Sequence, residues 1–125
     1  MYIPDNLKYT KDHEWVKIEE DYVVIGITEF AQGELGDIVF IEVDTHGEIL
    51  EKEEVFGTIE AVKTVSDLFM PINGKIIEFN ETLEEFPDLI NSSPYDDGWI
   101  IKASITEQAD LDNLMSSEEY KNLVS

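Results

Sequence analysis

The chain of 125 residues contains no cysteine and no arginine. Without cysteine there is no disulfide framework, no thiolate nucleophile and no thiolate-held metal. The cations number 8, all of them lysine, against 29 acidic residues, which gives a formal net charge of −21. Nucleic-acid binding is excluded, because neutralising phosphates requires basic residues in number, and an anionic membrane surface is disfavoured for the same reason. The charge instead suits docking onto basic surfaces of other proteins.

Long hydrophobic runs are also missing. An uninterrupted apolar run such as Ile38–Ile41 is far below the roughly 20 residues that a membrane helix needs. The first residues, Met1–Asn6, have no cationic start and no apolar stretch, so we expect no signal peptide and a cytoplasmic location. Since 42% of the residues are hydrophobic, we expect one domain over residues 1–125, with a core over about 7–105 and a helical tail over about 106–125.

Short segments rich in β-branched and aromatic residues recur along the chain and predict strands. They are Trp15–Ile18, Tyr22–Ile27, Asp37–Val43, Val55–Glu60, Val65–Met70, Lys75–Phe79 and Trp99–Ala103. Turn signals separate several of them, at His46-Gly47, Asn73-Gly74 and Asp97-Gly98. The pattern predicts a mainly β fold, a small sandwich or flattened barrel of short antiparallel strands.

Helix signals are short and peripheral. Thr28 is predicted as an N-cap and Gly36 as the residue that ends the same helix. A second helix is predicted to start at Thr106, with leucines and Met115 at helical spacing. Ser116–Glu119 has the pattern of a capping box and predicts a last short helix, and a single helical turn is expected near Phe86–Ile90.

Lys63 lies between two strand-like segments that leave almost no room for a loop. It is the only cation between Lys52 and Lys75, and Glu60 and Asp67 flank it. We therefore expect Lys63 at the tip of a tight hairpin, pointing into solvent. A lysine amine on a rigid tip is suited to acylation by a long prosthetic group, because tethering raises the local concentration of the carried group at the next active site.

The alternative is an ordinary solvated lysine, with Pro71 and Gly74 as common turn residues, and the strand pattern alone favours it. However, the stretch resembles the attachment hairpin of the biotinyl/lipoyl carrier domains. Those domains share a strand, a lysine tip, a return strand and a Pro-x-x-Gly turn, matched here by Pro71-Ile72-Asn73-Gly74. Biotinyl carriers place methionine on both sides of the lysine, where this chain has Val62 and Thr64, so a biotin carrier is the lesser alternative.

The resemblance is closest to the glycine cleavage H proteins, a family of lipoyl carriers. The attachment core of that family commonly reads Glu-Ser-Val-Lys-Ala, and this chain has Glu60-Ala61-Val62-Lys63-Thr64. The opening segment, first helix and late turn of the family are matched in order by Leu7–Val16, Ile25–Val39 and Asn91–Trp99. The resemblance covers roughly residues 7–105 and implies the barrel-sandwich fold of lipoyl domains.

The resemblance implies a shuttle rather than an enzyme, with lipoate joined covalently to Lys63 by a lipoate-attaching enzyme. The carrier would take an aminomethyl group from a pyridoxal-phosphate glycine decarboxylase to a tetrahydrofolate-dependent aminomethyltransferase. A dihydrolipoyl dehydrogenase would then reoxidise the arm. Two alternatives stay open: a related protein that relays lipoyl groups to other lipoyl domains, and an unmodified acidic interaction module. We expect a monomer, since the charge opposes self-association.

In the same family the loaded arm folds back against a cleft, and the matching positions here are Asp12, Glu14 and Asp67. We hypothesise that Glu14 and Asp67 hold the carried amine by charge-assisted hydrogen bonds, with Asp12 as a weaker candidate. The alternative is that these are solvated acids among the 29. His13 is interpreted as a packing residue beside Trp15, and no metal site is predicted.

Overall fold

Nine strands in two antiparallel sheets and five short helices make up the fold. A computed structural model describes all of residues 1–125. The strands are β1 Lys8–Tyr9, β2 Glu14–Ile18, β3 Tyr22–Ile27, β4 Ile38–Glu42, β5 Ile49–Leu50, β6 Val55–Ala61, β7 Val65–Phe69, β8 Gly74–Phe79 and β9 Ile101–Ser104. The helices are α1 Glu29–Leu35, α2 Thr82–Glu85, α3 Leu89–Ser92, α4 Ala109–Asp112 and α5 Ser117–Val124. None of these helices has the length and apolar character needed to cross a bilayer.

The two sheets differ in how far apart their strands are in the sequence. The larger sheet has the order β1-β2-β3-β9-β8-β5, so its centre joins the N-terminal hairpin to a strand near residue 101. The smaller sheet has the order β4-β6-β7 and is built entirely from residues 38–69. Neither sheet closes on itself, and the predicted mainly β class is confirmed.

The hydrophobic core lies between the sheets. Its main cluster takes buried side chains from both, including Ile25 of β3, Ile59 of β6, Leu68 of β7 and Ile101 of β9. Along β6 and β7, Ile59 and Leu68 each lie between exposed or half-buried neighbours, as period-2 patterning requires when one face of a sheet is buried. The smaller sheet therefore presents one face to the core and the other to solvent.

A second, smaller cluster brings the two ends of the chain together. It contains Ile3, Leu7, Tyr9, Trp15 and Tyr120, all of them buried. The N-terminal segment and β2 thus pack directly against the C-terminal helix α5. That contact matters for the site, because the residues between β1 and β2 form part of the cleft described below.

The predicted helix ends are confirmed at α1 and α5. The Thr28 hydroxyl accepts a hydrogen bond from the backbone N–H of Ala31, and Gly36 ends the helix with a φ of 84°. Ser116 and Glu119 form the complete capping box of α5. These ends are set by local hydrogen bonds to orphan backbone groups, which is why sequence spacing predicts them.

The helix predicted from Thr106 is wrong in its extent. Only Ala109–Asp112 is helical, and Met115 instead forms an antiparallel bridge with Tyr9. The backbone groups of those two residues exchange both hydrogen bonds, at 2.9 and 2.8 Å. Met115 therefore serves as a partner for the edge strand β1, and this pairing overrides its helical spacing.

Candidate functional site

Lys63 lies at the tip of the β6–β7 hairpin, as predicted. Only Val62, Lys63 and Thr64 link the two strands, and all three are exposed. The backbone N–H of Ala61 donates to the Thr64 carbonyl oxygen at 2.8 Å and closes the turn. The Val62 N–H donates to the Asp37 carbonyl oxygen at 3.0 Å, which ties the tip to the segment before β4. The lysine thus stands on a rigid base.

The Lys63 side chain is exposed but does not extend straight into solvent. It crosses Gly36 at the end of α1, where a Cβ would lie 3.3 Å from Lys63 Cε and 3.8 Å from its Nζ. Gly36 combines a φ of 84° with a ψ of −156°, a region that only glycine occupies readily. The glycine that ends α1 therefore also provides the surface on which the lysine rests.

An open cleft of about 360 Å³ lies beside this resting place, between α1, the Asp12–Glu14 segment and β7. Leu35, which precedes Gly36, belongs to its lining. Six apolar residues line it: Ile27, Phe30, Ala31, Leu35, Ile59 and Leu68. Four acids also line it: Asp12, Glu14, Glu34 and Asp67. The structure thus brings the three predicted acids together at one cleft and adds Glu34, which the sequence did not single out.

Glu14 differs from the other acids because it is buried. Only 2% of its surface is exposed, so the alternative of a solvated surface acid is wrong for this residue. One carboxylate oxygen accepts from the Phe69 backbone N–H at 2.9 Å, and the other accepts from the Thr10 hydroxyl at 3.2 Å. Burial nevertheless outweighs these bonds and raises the pKa of Glu14 to about 8. Asp12 and Asp67 are exposed.

His13 packs against α1, in agreement with its interpretation as a packing residue, although its partner is Phe30 rather than Trp15. The two ring centroids are 4.7 Å apart. Its Nδ1 lies 2.9 Å from the Tyr120 hydroxyl, and burial lowers the pKa of the imidazole. The second histidine, His46, is exposed, with Nε2 3.1 Å from the Ile77 carbonyl oxygen. No group of three or more His, Asp or Glu side chains is arranged to hold a metal ion.

The remaining hairpin residues divide into exposed and structural positions. Glu60 is exposed on β6 and pairs in register with Val65 of β7. Pro71 is buried, and Gly74 starts β8 where a Cβ would overlap the Ser104 carbonyl oxygen. At the end of the Pro-x-x-Gly turn, β8 approaches β9 so closely that only a residue without a side chain fits. This explains why position 74 is glycine.

A smaller cavity of about 240 Å³ also borders Glu14, on the side of β1 and α4. Tyr9, Met70 and Leu114 line it, together with the ion pair between Lys11 and Glu53, whose Nζ and Oε1 are 3.2 Å apart. Neither this cavity nor the larger cleft is lined by the tip residues 62–64. The larger cleft is the one associated with Lys63, because its lining residue Leu35 directly precedes Gly36, on which the lysine side chain rests.

A rigid hairpin that presents one lysine beside an apolar cleft is typical of carrier domains that hold a prosthetic group on a swinging arm. A family model described as "Glycine cleavage H-protein" matches residues 7–125. The glycine cleavage system H proteins of Bacteroides fragilis and Listeria monocytogenes are 54% and 52% identical over 125 and 124 residues, covering 99% or more of this chain and 99% of each relative. The crystal structure of a glycine cleavage system H protein from Mycobacterium marinum superimposes with a TM-score of 0.84 at 35% identity, covering 96% of this chain and 97% of that one.

The chain belongs to the glycine cleavage H-protein family. Members of that family are lipoyl carriers of the glycine cleavage system and are not catalysts. The carrier reading of the sequence is thereby confirmed at the level of the family, and the protein works with the other components of glycine cleavage.

Proposed function

We propose that Lys63 carries lipoate in amide linkage and shuttles it among the glycine decarboxylase, the aminomethyltransferase and the dihydrolipoyl dehydrogenase. The observation that carries this proposal is the single exposed lysine at the hairpin tip, resting on Gly36 beside the cleft. When bound, the dithiolane supplies the sulfur chemistry that accepts and releases the aminomethyl group. The protein supplies the tether, the place of rest and the charges around it.

The cleft fits an acyl arm with a polar end. Its apolar wall includes Phe30, Leu35 and Leu68, which suit the alkyl part of the arm, and its volume of about 360 Å³ is in the range of small-ligand sites. The buried Glu14 carboxyl and the exposed Asp67 carboxylate border the same space. We assign them to the carried amine, with Asp12 at the rim.

Glu14 is the stronger of these assignments because its carboxylate is already oriented. The Phe69 N–H and the Thr10 hydroxyl fix both oxygens before any ligand arrives, so little conformational entropy remains to be lost. A cationic amine beside the carboxyl favours its ionised form and lowers its pKa. Glu14→Gln is expected to shorten the lifetime of the loaded arm, whereas an unchanged lifetime would remove Glu14 from the site.

The exposed tip residues are assigned to recognition by the lipoate-attaching enzyme. Glu60, Val62 and Thr64 surround the lysine on the solvent side, and 75% of Val62 is exposed. The enzyme must bring the Lys63 amine onto an activated lipoyl carbonyl, so it has to cover these neighbours. In that step the amine displaces AMP from lipoyl-AMP and an amide forms. Pro71 and Gly74 lie in the turn from β7 to β8 and are assigned a structural role rather than a contact with the enzyme.

The decisive test is acylation of the purified chain by a lipoate–protein ligase with ATP and lipoate. We expect intact mass and peptide mapping to show one lipoyl group, on Lys63, and none on Lys63→Ala. Lys75→Ala is the matched control. Lys75 is exposed like Lys63, and it lies directly after the Pro-x-x-Gly turn that Lys63 precedes. Acylation elsewhere, or no acylation by several ligases, would contradict the proposal and favour the unmodified acidic module.

Assays with the partner enzymes then separate glycine cleavage from lipoyl relay. Aminomethyl transfer by the lipoylated chain supports the first, and lipoyl transfer to other acceptor domains without it supports the second. We further propose that residues 1–125 act as one monomeric carrier domain, because a net charge of −21 opposes self-association. The cytoplasmic location expected from the sequence stays a prediction.

A further inference from the structure

One hydroxyl group joins the C-terminal helix to the region of the cleft. Tyr120 of α5 is fully buried, and its oxygen lies 2.9 Å from His13 Nδ1 and 2.8 Å from Thr28 Oγ1. These partners are 107 and 92 residues away in the sequence. No other side chain of α5 makes a hydrogen bond to the residues that line the cleft.

The two partners belong to the two segments that we call the walls of the cleft, the Asp12–Glu14 segment and α1 with its cap. His13 lines it directly, precedes Glu14 and lies against Phe30 of α1. Thr28 caps α1, and that helix contributes Phe30, Ala31 and Leu35 to the lining. The Thr28 backbone N–H also donates to the His13 carbonyl oxygen at 3.0 Å. The walls therefore meet at the point where the Tyr120 hydroxyl is bound.

The hydrogen atoms of this group can be assigned by counting donors and acceptors. Thr28 Oγ1 already accepts the Ala31 N–H at 3.2 Å, and its own hydrogen has no acceptor other than Tyr120. If Thr28 donates to Tyr120, then Tyr120 donates to His13 Nδ1, and every buried donor is used. The arrangement requires a neutral imidazole with its hydrogen on Nε2. A chain of this kind is cooperative, since each bond polarises the next.

His13 needs such support because its backbone has a φ of 66°. For a residue that has a side chain, this conformation is unfavourable in free energy. It persists only where the surrounding structure stabilises it. The His13 N–H donates to the Thr10 carbonyl oxygen at 3.1 Å, and Tyr120 holds the ring at the other end. The same short segment sets the position of the Glu14 carboxyl.

We propose that Tyr120 is a positioning residue for the arm cleft: its hydroxyl holds His13 and the start of α1 together and so fixes the shape of the space that receives the arm. This proposal rests on the proposed function, in that the arm on Lys63 uses this cleft. Tyr120 itself touches neither the arm nor the carried group. Its role is to keep Glu14 and the apolar wall in the geometry that shelters them.

The chain offers a matched control in Tyr9. Its ring stacks on Tyr120 at a centroid distance of 4.8 Å, it is equally buried, and its hydroxyl donates to the Pro4 carbonyl oxygen rather than to a cleft residue. Tyr120→Phe and Tyr9→Phe therefore each remove one buried hydroxyl from the same stacked pair. Only the first breaks the side-chain link between His13 and Thr28.

The experiment measures how long the isolated, lipoylated protein keeps its aminomethyl group after loading with glycine and the decarboxylase. The rate of loss is compared for the native chain, both variants and a loaded proteolytic peptide that contains Lys63. We expect Tyr120→Phe to lose the group on the order of fivefold faster than the native chain, and Tyr9→Phe to match the native chain. The ¹⁵N chemical shifts of His13, measured without lipoate, should change in Tyr120→Phe and stay constant in Tyr9→Phe.

The possible outcomes separate the two proposals. If the native protein loses the group as fast as the peptide, the cleft does not shelter the arm and that part of the proposed function fails. If the native protein shelters the group and Tyr120→Phe does so equally well, the positioning role alone is overturned. Equal acceleration in both variants would also overturn it, because a general loss of stability would then explain the effect.

Discussion

Replacing Glu14 with glutamine tests the electrostatics of the cleft in the absence of any arm. The carboxyl group is 2% exposed, and burial raises its pKa from 4.5 to about 8. Glutamine has nearly the same shape, and its amide oxygen still accepts from the Phe69 N–H. Its amino group faces the Thr10 oxygen, which already accepts two backbone N–H groups, so the Thr10 contact is the one that changes. The variant therefore removes the ionisation and leaves the packing in place.

The sign of the effect follows from proton binding. Between about pH 4.5 and about pH 8 the folded chain keeps the Glu14 proton and the unfolded chain has lost it, so unfolding releases a proton. The contribution of Glu14 to the free energy of unfolding therefore falls as the pH rises through this window and is constant above it. The slope approaches about 1.4 kcal/mol per pH unit, which gives a fall of about 3 kcal/mol from about pH 5.5 to about pH 8.5.

The assay is urea denaturation of the native chain and Glu14→Gln across that pH range. We expect the free energy of unfolding of Glu14→Gln, minus that of the native chain, to rise by about 3 kcal/mol, because glutamine does not titrate. Taking the difference cancels the other titrating groups. Asp67→Asn is the control, since Asp67 borders the same cleft but is exposed. Parallel curves for Glu14→Gln and the native chain would refute the reasoning.

Three further substitutions test the local structure. Gly36→Ala places a Cβ on a backbone conformation that suits glycine, and this Cβ also crowds Lys63. We expect the free energy of unfolding to fall by about 1–3 kcal/mol and lipoylation by the ligase to be slower. An unchanged free energy and an unchanged rate would show that the turn relaxes. Gly26→Ala places a Cβ 2.6 Å from the buried Trp15 ring and should cost about 1–3 kcal/mol by overpacking, which an unchanged urea midpoint would contradict. Ser116→Ala breaks the capping box of α5 and should cost about 1 kcal/mol, whereas Ser117→Ala, one residue further on, is the comparison.

Features set by neighbours in the sequence could be predicted. The hairpin around Lys63 follows from two strand patterns with almost nothing between them, and the Thr28 cap and the Ser116 box follow from local hydrogen bonding. The strands β1 and β5 were missed because each has only two residues, which is too few to show an alternation of apolar and polar residues. The helix expected from Thr106 was too long because the backbone of Met115 pairs with Tyr9 of the distant strand β1.

Features set by distant partners could not be predicted. Nothing in the sequence near Glu14 distinguishes it from the other acids, since its burial depends on distant segments such as the end of β7, where the Phe69 N–H donates to its carboxylate. The role of Tyr120 depends on a partner 107 residues away. Conversely, the position of Glu14 at the cleft was inferred only through family resemblance, which carries tertiary information that a single sequence does not.

The strands of the two sheets are complete at different stages of the protein's synthesis. The three strands that present Lys63 lie within residues 38–69, so the hairpin has all of its sheet partners before residues 70–125 exist. The large sheet waits for β9, and the link between the cleft walls waits for Tyr120, five residues from the end. The surface that offers the lysine is therefore complete in the nascent chain long before the cleft beside it takes its final shape.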